Sequence, residues 1–196
     1  MLFEIVFNVA LNIISSLGYL GVFVLMTLES MVFPIPSEAV MPFAGFLVAS
    51  GSMDFIAVII ASTLGSIFGS LVSYYIGMKG EIFIEKHGKL FLLNKKDMNS
   101  AKAFFKKHGE KTIFVSRFIP VIRHLISIPA GLGRMDLKKF ILYTTAGAAM
   151  WNAFLAYLGF ILKEKWNEIV AYSQYLDIIA VIGLIAFAVW FVRRHR

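Results

Sequence analysis

Glu29, Glu38, Arg117 and Arg123 are ionisable residues set inside otherwise apolar stretches. A charge at the centre of a bilayer costs roughly 2.5–3.5 kcal/mol on insertion scales, and residues that bear this cost pair with one another or line a pathway. Nine positions separate the two acids, which on a straight helix turning about 100° per residue places them on opposite faces. Six separate the arginines, about 240° apart by the same geometry. Pro34 and Pro36 lie between the acids and Pro120 between the arginines. A break at these prolines lets both side chains of a pair turn toward one cavity. Arginine suits a phosphate, because its planar fork donates two parallel hydrogen bonds and stays charged in apolar surroundings. A carboxylate beside an empty arginine can hold it and, once protonated, release it. Burial raises a carboxyl pKa and a neighbouring arginine lowers it, so a coupled proton switch is feasible. The competing reading is structural, two buried salt bridges locking the segments together.

Residues around these four carry weaker signals. His124 beside Arg123 is a candidate for a proton path or for a plain hydrogen-bonded histidine. Trp151 and Asn152 are candidates for cavity lining, with buried packing as the alternative. Gly65, Gly69 and Gly147 read as sites of close helix packing. His87, His108 and His195 fall in basic segments and read as solvated. The chain has no His-Glu-x-x-His, Gly-x-Ser-x-Gly or Walker loop and no acid cluster with metal-ligand spacing. An enzyme, a cofactor and a metal site are therefore not expected, and no nucleotide hydrolysis is available to drive a transport step.

The elements that must position these residues belong to a membrane. Of 196 residues, 59% are hydrophobic and 16% charged, against about 45–50% and 25% in soluble domains. No cysteine is present, which removes disulfides, thiolate metal sites and cysteine nucleophiles. The opening MLFEIVFNVA has an acid where a secretion signal carries its basic region, so no cleaved signal is expected. A net charge of +7 could suggest nucleic acid, but its placement argues otherwise. No Lys or Arg precedes Lys79; nine fall from Lys79 to Lys111, three from Arg134 to Lys139, and three at Arg193, Arg194 and Arg196. Basic residues gathered in short loops between apolar runs are an orientation signal, with anionic headgroups as a second use.

Residues 55–78 and 140–162 carry no charge and are long enough to span, since a helix needs about 20 apolar residues to cross the hydrocarbon core. A third span is expected over 172–192. The stretch from Ser15 to Gly21 interrupts an apolar run whose mode, spanning or surface-bound, stays open. Proline lacks a backbone donor and clashes with the preceding turn, so 22–50 reads as a re-entrant hairpin with its tip at Pro34 and Pro36. Residues 112–133 repeat the theme, with breaks at Pro120 and Pro129. Pro34 precedes Ala44-Gly45 by ten residues, as Pro120 precedes Ala130-Gly131. An offset of 82 pairs Met53-Asp54 with Met135-Asp136, Gly65 with Gly147, Tyr75 with Tyr157 and Gly77 with Gly159. Each unit is thus a broken hairpin followed by a full span.

Charge then sets topology. Residues 79–111 and the C-terminus are expected in the cytoplasm, so the first hairpin enters from outside and the second from inside. Segment 95–111 reads as an amphipathic helix on the inner leaflet, and Trp166 as an interface anchor. The expected fold is one all-α integral membrane domain over 1–196: an inverted repeat of re-entrant hairpin plus transmembrane helix, with an extra C-terminal span. Inverted repeats with broken helices meeting at the midplane are the architecture of many secondary transporters.

At these positions the chain resembles the DedA family of the SNARE-associated, VTT-domain superfamily, whose eukaryotic members include autophagy-related membrane proteins. The resemblance runs from about Gly18 to Gly159. It rests on Glu29-x4-Pro34-x-Pro36-x-Glu38, on Gly65 to Gly77 with Tyr74-Tyr75, and on Phe114-x-x-Arg117-Phe118-x-Pro120-x-x-Arg123 leading to Ala130-Gly131. Where some relatives have Pro-Gly-Asp, this chain has Pro36-Ser37-Glu38. The resemblance implies required acids and arginines at Glu29, Glu38, Arg117 and Arg123. It implies residence in the bacterial cytoplasmic membrane and movement of lipids across it, driven by the proton motive force in several members. Undecaprenyl phosphate and phosphatidylethanolamine are the implied substrates. A monophosphate fits two arginines better than a zwitterion does, which favours the first. A structural or chaperone-like membrane protein and a small-ion exchanger are the readings from other classes. Partners are then membrane lipids rather than nucleic acid, with a homo-oligomer compatible.

Overall fold

The computed structural model describes residues 2–31, 37–87 and 111–165, which are helical apart from short links. Eight α-helices follow one another among these residues: α1 (Leu2–Leu17), α2 (Tyr19–Ser30), α3 (Ser37–Ala49), α4 (Phe55–His87), α5 (Lys111–Ser116), α6 (Pro120–Leu125), α7 (Ser127–Leu132) and α8 (Leu137–Ile161). A 3-10 turn, Leu162–Lys165, closes the described part. Pro34 and Pro36, most of the expected surface helix at 95–111, His108, Trp166, His195 and the expected span 172–192 lie outside the described residues.

Local chemistry accounts for the boundaries. The interruption expected over Ser15 to Gly21 narrows to Gly18, the single residue between α1 and α2, whose φ of 57° suits a residue without Cβ. Ile119 is extended and Pro120 opens α6, where a missing N–H costs nothing. Pro129, expected at a break, instead lies within the first turn of α7, where a proline is equally harmless. Both long helices start at an aspartate of the sequence repeat. Asp54 Oδ1 accepts from the Ala57 N–H at 2.9 Å, and Asp136 Oδ1 from the Lys139 N–H at 3.0 Å. At its far end α4 passes Met78, the expected limit of the span, and continues to His87.

Among the described residues one helix segment, Phe55–Gly80, is both long and apolar enough to cross a membrane. With 25 residues α8 has the length, but it carries Thr144, Thr145 and Asn152 in its middle. Two of these, Thr144 and Asn152, are buried and face the site described below. On α4, Ile56, Ile60, Leu64 and Phe68 recur every fourth residue and stay exposed. On α8, Leu142, Met150, Phe154 and Tyr157 are exposed as well. An exposed apolar belt of this extent marks a surface that meets lipid or another apolar partner.

Glycines bring the helices together in two matching pairs. A Cβ on Gly45 in α3 would strike the Ala156 carbonyl of α8, and one on Gly159 would strike the Pro42 carbonyl. Likewise a Cβ on Gly131 in α7 would strike the Tyr74 carbonyl of α4, and one on Gly77 the Ile128 carbonyl. Pro42 and Gly45 map onto Ile128 and Gly131, and Tyr74 and Gly77 onto Ala156 and Gly159, by the register of the sequence repeat. Each short helix therefore packs on the long helix of the other repeat. Close backbone approach through small residues is how helices associate where lipid removes the hydrophobic drive.

Candidate substrate site

Glu29 ends α2 and Glu38 begins α3, so the two acids flank the link that contains the prolines. Their carboxylates meet at one nitrogen. Arg123 Nη2, from α6, lies 2.9 Å from both oxygens of Glu38 and 3.1 Å from Glu29 Oε1. Side-chain exposure divides the acids, at 5% for Glu29 and 36% for Glu38, while Arg123 stands at 5%. Ser30 donates to Glu29 Oε2 at 3.1 Å. The sequence geometry set the acids on opposite faces of a straight helix, and the break reconciles both with one guanidinium.

Arg117 sits differently. It follows α5 in the turn before α6, fully buried, and its Nη2 lies 3.0 Å from Ser70 Oγ, 3.1 Å from Thr144 Oγ1 and 3.3 Å from Ser127 Oγ. These hydroxyls come from α4, α8 and α7. Gly147 makes room for the stem: a Cβ there would press on Arg117 Cβ and Cγ at 2.9 and 2.8 Å. The two salt bridges of the competing structural reading are present, but they share one arginine: both carboxylates pair with Arg123, while three hydroxyls contact Arg117. The two arginines are linked directly, Arg117 Nη1 donating to the Arg123 carbonyl at 3.5 Å.

Glu29, Ser30, Ser66, Arg117, Arg123, Ala148, Trp151 and Asn152 line a small cleft, with free space for about one water. Trp151 and Asn152, the candidates for cavity lining, are among these residues. The Trp151 ring centroid lies 5.4 Å from Arg123 Cζ, within cation–π range. Asn152 donates to Ser66 Oγ at 3.5 Å. Three buried donors of cleft residues, Arg117 Nε, Arg123 Nε and Trp151 Nε1, have no acceptor. Buried donors without partners cost about 1–3 kcal/mol each, and these three, two of them on cations, suit an anion, while the buried Glu29 Oε1 of the same cleft is held at 3.1 Å by Arg123 Nη2. His124 lies on α6.

The hydroxyls were the residues that reading for charge overlooked. A signal existed: Ser62, Ser66, Ser70 and Ser73 recur at intervals of four, four and three along one face of α4, and all are buried. A buried polar stripe on a lipid-embedded helix faces protein or a cavity rather than hydrocarbon.

A VTT domain model matches residues 35–161. The chain belongs to the VTT-domain, or DedA, family. As a VTT-domain protein it is 34% identical to undecaprenyl phosphate transporter A of Bacillus subtilis, over 93% of this chain and 91% of the relative. It is 36% identical to an alkaline phosphatase-like protein of Lactococcus lactis subsp. cremoris, over 92% and 91% of the two chains. Protein DedA of Escherichia coli is 28% identical over 64% of this chain and 58% of its own length. No solved structure matches the chain. The VTT match spans α3 to α8 and takes in three of the four charged residues, leaving Glu29 just outside.

Proposed function

We propose that this VTT-domain protein moves a lipid phosphate across the bacterial cytoplasmic membrane, with undecaprenyl phosphate as substrate and the proton motive force as drive. One observation carries the reading: two arginines border one cleft, with donors left over and both carboxylates held at Arg123. Arg123 is the exchangeable member. It releases the half-exposed Glu38 to accept a phosphate, and protonation of Glu38 favours that release. Arg117, seated on hydroxyls, contributes its charge without moving. A relative named for undecaprenyl phosphate transport supports the choice of substrate. The cleft as it stands holds no phosphate, so binding requires the hairpins to part.

The architecture of the proposal is an inverted repeat. The hairpins built from α2–α3 and α5–α7 enter from opposite sides, and residues 79–111 lie in the cytoplasm. The matched glycine contacts support it, since each hairpin leans on the opposite repeat's long helix. Alternating access then consists of one repeat rocking on the other.

Transbilayer movement of labelled undecaprenyl phosphate in proteoliposomes tests this, with phosphatidylethanolamine in parallel. The expected result is movement by the native chain that is lost in folded Arg117→Ala and Arg123→Ala. Movement of phosphatidylethanolamine alone replaces the substrate. If neither lipid moves under an imposed proton gradient, the transport reading fails.

A further inference from the structure

Trp151 has two features that packing alone does not explain. It occupies the middle of α8, about 21 Å along the helix from Leu137 at 1.5 Å per residue. Tryptophan in membrane proteins concentrates at the interfaces, where its N–H meets water or headgroups. Here the indole nitrogen is buried without a hydrogen-bond partner. A buried tryptophan usually finds an acceptor for this group. The ring meanwhile lies over Arg123, with Phe118 edge-on at 6.2 Å and Phe154 at 5.7 Å on its other contacts. These rings hold the indole in one orientation and leave it few ways to seek an acceptor elsewhere.

What could accept is constrained by the neighbours. Arg117 Nε and Arg123 Nε, on residues lining the same cleft, are also buried without acceptors, and the buried acceptor there, Glu29 Oε1, is taken up by Arg123 Nη2 at 3.1 Å. One water molecule has two acceptor sites and cannot serve three donors. A phosphate offers several oxygens and the negative charge that the two arginines call for. The indole N–H is a donor only and never titrates in the accessible range, so its contribution is independent of the protonation of Glu29 and Glu38.

We infer that Trp151 is a specificity-determining residue of the site, donating its indole N–H to a phosphate monoester headgroup while its ring carries the guanidinium of Arg123. The inference rests on the lipid-phosphate reading above and assigns it a third donor. A carboxylate or a neutral headgroup makes poorer use of three donors than a tetrahedral oxyanion does, so Trp151 acts on headgroup selection rather than on binding of the lipid chain.

The test uses the full chain in detergent, with a short-chain prenyl monophosphate, the matching prenol and inorganic phosphate as probes. Trp151→Phe keeps a ring over Arg123 and removes the N–H. It is expected to bind the monophosphate about tenfold more weakly, the value of a hydrogen bond to a charged group, with prenol binding unchanged. A structural defect would lower both. In a Trp166→Phe, Trp190→Phe background, Trp151 is the remaining tryptophan, and its emission should shift to the red at saturating monophosphate. This second measurement needs no substitution at the site. An emission that does not move, or W151F binding as tightly as the native residue, overturns the inference while leaving phosphate binding intact. A response to inorganic phosphate but not to the prenyl ester makes the ligand a free anion and overturns the lipid assignment. If the folded native chain binds no phosphate probe, the functional reading itself fails, and this inference with it.

Discussion

Arg117 donates through Nη1 to the backbone carbonyl of Arg123 at 3.5 Å, so the side chain of one arginine is tied to the main chain of the other. Six residues and the break at Pro120 separate them. The contact makes the position of α6 depend on how Arg117 is seated, and the seat is built by three other helices. Displacing α4, α7 or α8 therefore bears on Arg123 and on the carboxylates it holds.

The seat makes a quantitative demand. Arg117 Nη2 carries two hydrogens, yet three hydroxyl oxygens lie within 3.3 Å. Removing one oxygen still leaves two acceptors. Ser70→Ala alone should therefore cost less than about 1 kcal/mol, whereas Ser70→Ala with Thr144→Val strands a buried hydrogen at about 1–3 kcal/mol. Unfolding of the singles and the double in detergent checks this. Additive losses would mean that the three hydroxyls do not share one donor group.

Arg123 holds two acids, and its removal should expose their repulsion. Arg123→Ala leaves Glu29 and Glu38 facing each other without their cation, at about 3–5 kcal/mol for a broken buried pair. Adding Glu29→Gln and Glu38→Gln to the same chain should recover most of that loss. Melting temperatures of the single and triple variants compare them directly. A triple variant no more stable than Arg123→Ala would show that charge pairing is not what Arg123 supplies. Glu29→Gln should also destabilise more than Glu38→Gln, because the half-exposed partner is screened by solvent.

The glycine contacts predict matched sensitivity in the two repeats. Gly45→Ala and Gly131→Ala each drive a Cβ into a carbonyl of the opposite long helix. Each should cost about 1–3 kcal/mol through overpacking. Gly51→Ala meets no neighbour but sits at φ 79°, so its cost is confined to backbone strain. Thermal unfolding of the three variants separates clash from strain. Tolerance of alanine at either Gly45 or Gly131 would contradict the close approach described.

Topology is open to labelling, since the chain contains no cysteine. Ser52 and Lys138 are exposed residues near the starts of α4 and α8. In the inverted arrangement Ser52→Cys reacts with an impermeant maleimide from outside the cell, and Lys138→Cys only after permeabilisation. Equal reactivity of both in intact cells would refute the inverted repeat.

What depends on neighbours along the chain was legible in the sequence. Apolar runs set which segments become helices, Asp54 and Asp136 fix where the long ones start, and Pro120 opens α6 because its ring cannot accept the preceding turn. The four costly charges were also legible, because hydrocarbon permits so few that each must have a use. Pairing was not. That Arg123 takes both carboxylates while Arg117 takes Ser70, Ser127 and Thr144 depends on side chains 10 to 94 positions apart in the chain. Their meeting is set by how closely α3 approaches α8 and α7 approaches α4. Glycines and carbonyls from opposite repeats decide those distances, and only the packed tertiary structure brings them together.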